Sequence, residues 1–343
     1  GQGEPPALKI GQHPQPQAGP ERIPGVKRVV AIASGKGGVG KSTVASNLAV
    51  ALAAQGKKVG LLDADVLGPS QQLMMGTKEK PKSDDGKVMD PVVAHGVKLV
   101  SIGLFVDPDQ AVVWRGPLIT GTLQQFLFSV NWGDLDVLLI DLPPGTGDVQ
   151  ITLAQKVLMT GALVVSTPQD VALIDAHMAI DMFQKVRIPV LGLIENMAMY
   201  VCPNCGNEDH IFGEGGVRAE AERSQIPFLG EIPLAREVRT AGDVGMPIAL
   251  GEGAVADAYR TLATELVDGG MAPTREKILE TLAGVTLPDG GDLVSRDLVR
   301  GLMIQGNGAV RFLIEAPSPE LAGKLEAQRT AAQAAVEALD GVG

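Results

Sequence analysis

The sequence predicts an α/β protein: a doubly wound, mostly parallel sheet, followed by a small α+β module. Three observations carry that expectation. Short β-branched runs alternate with segments of helical period along most of the chain. A glycine-rich turn joins the first of those runs to the first helix. After Gly269-Gly270 the pattern changes to helix, hairpin and helix.

Residues 1–26 are rich in Gly, Pro and Gln and lack apolar periodicity, so they read as a linker or tail. RVVAIAS (28–34) is the continuous apolar run expected of a parallel strand buried on both faces. STVASNLAVALAAQG (42–56) carries apolar residues at helical spacing, with Gly56 as its stop. Further buried strands are expected at 58–63, 97–104, 136–142, 162–167, 190–196 and 228–234. Helices are expected at 117–129, 149–159, 170–186 and 216–224, and a last one near 253–267 closes a domain spanning 27–268. Right-handed crossovers between such strands produce helices on both faces of the sheet. The second module, 271–341, reads as helix 273–285, strands 298–305 and 309–316 joined at Gly306-Asn307-Gly308, and helix 318–341.

Composition narrows the function. Of 343 residues 45% are hydrophobic but only 3% aromatic, so the core is aliphatic and no stacking platform for single-stranded nucleic acid is expected. With 29 basic and 40 acidic residues the net charge is −11, which argues against a phosphate-backbone or membrane-surface partner. No apolar run reaches the roughly 18 residues that span a bilayer, and no signal peptide is read at the start, so a cytoplasmic protein is expected.

The strongest motif is Gly35-Lys36-Gly37-Gly38-Val39-Gly40-Lys41-Ser42-Thr43, which fits G-x-x-x-x-G-K-[ST] between a strand and a helix. Its glycines let backbone N–H groups converge on phosphate oxygens, and the helix N-terminus adds a positive dipole end. Lys41 would reach the β- and γ-phosphates, and Ser42 would offer its hydroxyl to Mg²⁺. Lys36 is a second cation inside the loop, placed to meet phosphate in its own chain or in a facing copy. Asp63, Asp65 and Asp141 end predicted strands, where open α/β sheets place their ligands. Asp141 follows an apolar strand, as a Mg²⁺-side carboxylate does.

The two cysteines, Cys202 and Cys205, form a C-x-x-C pair. Tetrahedral zinc and a [4Fe-4S] cluster each take four strong ligands, so one chain falls short and a symmetric dimer supplies four thiolates. A thioredoxin-like redox pair, a zinc shared across a dimer and a metal-free knuckle remain open alternatives. His210 stands nearby and could be a ligand, but a solvated loop histidine is the favoured reading.

KGGVGKST, DADVLGPS, WRGP (114–117), LLIDLPPGTGD, ENM (195–197) and CPNCG (202–206) occur in an order that resembles the Mrp/ApbC family of MinD-related P-loop ATPases, over about residues 24–267. The resemblance implies an ATP-dependent iron–sulfur cluster carrier, working as a homodimer on apo iron–sulfur recipient proteins. It implies that Lys36 reaches the partner copy's nucleotide, and that Lys41 and Ser42 are the loop lysine and Mg²⁺ ligand. Asp141 would be the strand-end carboxylate, and Asp65 or Asp63 would position the attacking water. Asn196 would bond the adenine edge, and Cys202 and Cys205 would hold the cluster. An ATP-driven positioning switch of the MinD or ParA kind, without a cluster, is the alternative. Residues 271–341 resemble the family's small accessory domain, which more often precedes the ATPase. Met271 after Gly269-Gly270 reads like a start, residues 5–28 read like the linker between the two domains, and the domain's further strand has no counterpart before Gly343. A circular permutant, or a chain joined in non-native order, is therefore expected, with a natural fusion as the alternative. The module holds neither Cys nor His, so interaction rather than metal ligation is its expected role.

Overall fold

The computed structural model describes residues 19–66, 68–83, 88–105, 116–202, 204–268, 275–287, 290–304, 310–316 and 325–339. Among them, β1 (Val29–Ala33) is buried at every position, as its β-branched run requires. The helix α1 (Lys41–Ala54) starts directly after the glycine-rich turn and ends as expected, with Gly56 at a φ of 82° just past its last turn. β2 (Val59–Asp63), a single turn α2 (Gln71–Met74), the short β3 (Val92–Ala94) and β4 (Val97–Ser101) follow. Next come α3 (Gly116–Phe128), β5 (Val137–Asp141), α4 (Asp148–Lys156), β6 (Gly161–Ser166) and α5 (Asp170–Lys185). β7 (Val190–Val201), β8 (Glu208–Asp209), α6 (Gly216–Ser224), β9 (Phe228–Leu234), α7 (Arg236–Asp243) and α8 (Ala254–Asp268) complete the large domain.

The described strands form a nine-stranded sheet in the order β3-β4-β2-β5-β1-β6-β7-β8, with β9 also paired to β7. β3 and β8 run antiparallel to their neighbours and the other pairings are parallel. Successive residues of β1 feed opposite cores. Val29, Ala31 and Ala33 pack with α3 and α5, whereas Val30 and Ile32 pack with α1 and α8. That is the doubly wound arrangement the alternation predicts. β1 lies between β5 and β6, so the chain leaves it in one direction and later returns past it in the other. The carboxyl end of β1 beside β5 is therefore the crevice where such sheets bind ligands.

Several boundaries differ from the sequence reading. The expected strand 97–104 stops at Ser101, and Ile102–Leu104 turn into a 3₁₀ segment capped by the Ser101 hydroxyl. The expected helix 149–159 ends at Lys156, because Val157 pairs instead with Glu21. The stretch before the first strand is not all tail, since Ile23 is buried in the core and Val26 bridges Leu135. β7 runs five residues past the predicted end at Asn196.

The C-terminal module contains α9 (Arg275–Ala283), the antiparallel pair β10 (Val299–Ile304) and β11 (Val310–Ile314), and α10 (Glu326–Glu337). Ile278, Leu282, Leu293, Leu302, Ala332 and Val336 form its own small core. The predicted turn at 306–308 and residues 318–324 of the predicted last helix lie outside the described residues. Among the described residues, no helix is long and apolar enough to cross a membrane.

Candidate functional site

The loop after β1 is shaped by what surrounds it. A Cβ on Gly35 would lie 2.0 Å from the Asp175 backbone of α5, so only glycine lets the loop cross that helix. Gly40 has a φ of 83°, and a Cβ there would lie 2.2 Å from the Asn196 side chain. Asn196, at the bend of β7, donates from Nδ2 to the Val39 carbonyl at 2.8 Å and so braces the loop from outside. Lys36, Gly37, Gly38, Val39, Gly40, Lys41, Ser42 and Thr43 line a cavity of about 270 Å³, with Asp65 and Pro144 on its far wall.

Behind this cradle lies a buried polar network. Lys41 is 5% exposed and pairs with the fully buried Asp141 through Nζ and Oδ1. Its Nζ also donates to the Ser42 hydroxyl at 3.1 Å. The other Asp141 oxygen accepts from Gln71 Nε2 at 2.8 Å, and the same nitrogen donates to the Ser42 carbonyl at 2.9 Å. Asp63 sits one strand over, level with Asp141 in the β2–β5 register. It accepts from the backbone N–H groups of Asp65, Ser70 and Gln71 and from the Ser101 hydroxyl, at 2.9–3.1 Å. Asp63 therefore caps α2 from another element, while Asp65 faces the cavity.

Burial, reinforced by the Asp141 charge, pushes the Asp63 carboxyl up to about 7 against the pull of its hydrogen bonds. From the ordinary carboxylate range up to that value, the folded chain holds a proton that the unfolded chain has lost. Stability is therefore fully present at low pH and is lost as pH rises through about 7. In nucleotide-free protein in EDTA, this group is expected to remove roughly 1 kcal/mol per pH unit between about pH 5 and 7. Urea denaturation across that range should show a slope that Asp63→Asn flattens, and equal slopes in both proteins would refute it.

The loop cavity shares Gly40, Thr43, Ser70 and Met74 with a neighbouring one of about 630 Å³ whose walls are mainly apolar. Asn196, Met197, Pro233, Leu234 and Val238 line it. A polar cradle joined to an apolar slot has the shape of a nucleotide site. Ser42 and Asp141 are hard oxygen donors suited to Mg²⁺, and beside them Gln71 Oε1 is buried with no partner. These residues fit a nucleotide-bound divalent cation once Lys41 turns from Asp141 toward phosphate.

The cysteines stand elsewhere. β7 and β8 form a hairpin with Cys202 and Cys205 at its tip, where Cys202 N–H donates to the Asn207 carbonyl at 2.9 Å and Gly206 N–H to the Cys202 carbonyl at 2.8 Å. Cys202 is half-buried and Cys205 exposed. Backbone N–H groups of Asn204 and Cys205 hold the Cys202 thiol below its ordinary value, which favours thiolate. His210 is turned away, with Nδ1 3.1 Å from the Ala198 carbonyl. Among the described residues, no three His, Cys, Asp or Glu side chains form a metal-holding group.

The structure thus brings the loop residues, Asp65 and Asn196 around one crevice, with Asp141 and Asp63 behind it and Cys202 and Cys205 apart on a surface hairpin. Sequence reasoning missed Gln71, α2 and α7. A capping residue at Ser70 before Leu73-Met74-Met75 hinted at α2, but the cap that operates is the distant Asp63 carboxylate. Helix α7 buries no residue and walls the apolar cavity, so no core stripe marked it.

Comparison with known proteins agrees with this geometry. Residues 25–267 match the family described as NUBPL iron-transfer P-loop NTPase, and residues 275–343 match one described as iron-sulfur cluster assembly protein. The chain is 51% identical over 242 residues to the iron-sulfur cluster carrier protein of Pseudomonas fragi, covering 69% of this chain and 84% of that protein. It is 49% identical over 251 residues to an Arabidopsis thaliana iron-sulfur protein required for NADH dehydrogenase, mitochondrial, covering 72% and 80%. Among solved structures, a nucleotide-binding protein from Archaeoglobus fulgidus in complex with ADP superposes with a TM-score of 0.60 at 41% identity, covering 67% of this chain and 91% of that one. The cell division ATPase MinD of Pyrococcus furiosus shares the fold, with a TM-score of 0.54 at 23% identity, covering 70% and 98%. From a glycine-rich cradle open to an apolar slot, a cysteine pair on a separate hairpin, and a family match over most of its length, it follows that this chain belongs to the NUBPL iron-transfer P-loop NTPase family.

Proposed function

We propose that this protein is an ATP-hydrolysing iron–sulfur cluster carrier that holds a [4Fe-4S] cluster between two copies of itself and passes it to apo-proteins. The observation that carries the reading is the hairpin tip, which presents two thiol groups outward in a chain that has no third ligand beside them among the described residues. Two copies joined at that tip supply the four thiolates a cluster takes. An exposed seat held half by each copy also suits cargo that must be released. The curated relatives' names support the cargo, and the ADP complex of the Archaeoglobus protein supports the nucleotide.

A second surface supports a homodimer. Val171, Ile174 and Met178 recur on one face of α5 and are 65%, 64% and 48% exposed. That helix carries the Gly35 end of the loop. Apolar residues left in water at i, i+3 and i+7 suit burial against another chain.

Within the nucleotide site, Lys41 moves from Asp141 to the phosphates, and the loop amides hold the oxygens on which charge develops. Lys36 adds a second positive charge on the cavity wall. Asp65 orients the attacking water, while Asp63 holds the Asp65 backbone and α2 in place. Asn196 offers the amide edge that the base meets, since only one Nδ2 hydrogen is used on Val39. Bound Mg²⁺, held by Ser42 and Asp141, would offset phosphate charge.

Iron, sulfide and molecular mass measured on the anaerobically reconstituted full chain test the reading together. About two irons and two sulfides per chain in a dimer are expected. A stable single copy with a full cluster would overturn the shared seat. No iron under any loading, combined with ATP-dependent binding to vesicles or DNA, would favour a positioning switch.

A further inference from the structure

The residue that joins the P-loop to the strand-end carboxylate is one that the motif does not contain. Gln71 is fully buried at the start of α2. Its backbone N–H is held by Asp63 Oδ2 at 3.1 Å, so its position does not depend on its side chain. Its Nε2 lies 2.8 Å from Asp141 Oδ2 and 2.9 Å from the Ser42 carbonyl. Both partners are acceptors, which fixes the amide orientation: the group between them must be the NH₂. Oε1 is then the atom of that amide left buried and without a donor. A buried acceptor with no partner is costly and rare, and one beside a ligand site calls for a donor that arrives with the ligand.

We propose that Gln71 is a positioning residue of the nucleotide site, tying the Asp141 carboxylate to the P-loop and offering Oε1 to a water in the shell of a nucleotide-bound divalent cation. The inference rests on the reading that Ser42 and Asp141 face that cation. In the nucleotide-free chain Asp141 is held from both sides, by Lys41 on Oδ1 and by Gln71 on Oδ2. When Lys41 turns to phosphate, Gln71 is the partner that stays, so the carboxylate keeps its aim instead of swinging free. Because the same NH₂ also holds the Ser42 carbonyl, the hydroxyl and carboxylate donors stay in register with each other.

ADP titrations of the full chain, with MgCl₂ and with EDTA, separate this role from a merely structural one. In wild type, Mg²⁺ is expected to tighten ADP binding. In Gln71→Met the ratio of the two affinities is expected to shrink on the order of tenfold, the size of one charge-assisted hydrogen bond. Gln71→Asn keeps the amide on a shorter stem and is expected to lose part of the tightening, and it carries the same comparison should the Met variant not fold. An unchanged Mg²⁺ effect in the variants, or equal weakening with and without Mg²⁺, would overturn the role given to Gln71. A wild-type affinity that ignores Mg²⁺ would instead overturn the reading of Ser42 and Asp141 beneath it.

Discussion

Replacing Lys41 by alanine is expected to abolish measurable nucleotide binding and to cost the nucleotide-free fold about 3 kcal/mol. Two separate effects meet in this one side chain. Toward the ligand, Lys41 is, with Lys36, one of two cations lining a cradle whose glycine-rich loop also offers backbone N–H groups. Toward the fold, its ammonium is the ionic partner of Asp141, which is fully buried in the sheet beneath. Removing it leaves a carboxylate out of water with the Gln71 amide as its remaining side-chain partner among the described residues. Calorimetry with ADP reads the first effect and urea denaturation the second. Lys41→Met combined with Asp141→Asn removes both charges together and is expected to regain most of the stability while binding no nucleotide. A single variant as stable as wild type would show that the buried pair does not stabilise the fold.

Replacing Cys202 and Cys205 by serine is expected to bring iron and sulfide to background after anaerobic loading, with ADP affinity unchanged within about twofold. The hairpin tip lies outside the residues lining the two nucleotide cavities, so the two functions should separate cleanly. Either single variant is expected to fail as well. In a seat shared by two copies, one substitution removes two of the four thiolates. Cys202 is the more sensitive position, since backbone N–H groups of Asn204 and Cys205 already favour its thiolate. Absorbance of the loaded protein, with iron and sulfide analysis, checks this. Wild-type iron content in the double variant would sink the hairpin as the cargo site.

Much of the candidate nucleotide site was legible because its pattern is local. Lys41, Ser42 and the glycines follow one another along the chain, and backbone geometry imposes their spacing. Asp141 was legible because it ends an apolar run that burial requires. The different surroundings of Asp63 and Asp65 were not. They are two residues apart at the end of one strand, yet one is walled in by Ser70, Gln71 and Ser101 and the other faces the cavity. Gln71 was invisible for the same reason. A glutamine before a short apolar stretch reads as surface, until the fold brings it to Asp141, 70 positions away.

The alternation of the main strands and helices, the spacing of the glycine-rich loop and the shortage of thiol ligands in one chain were determined by the sequence alone, because each depends on neighbours in the chain or on a count. The tertiary structure decided which carboxylate is buried, which residue bridges the loop to β5, where the apolar slot opens and how far the cysteines stand from it. Those depend on which distant segments exclude water from one another, and burial is what changes a carboxyl's charge or orphans an amide oxygen.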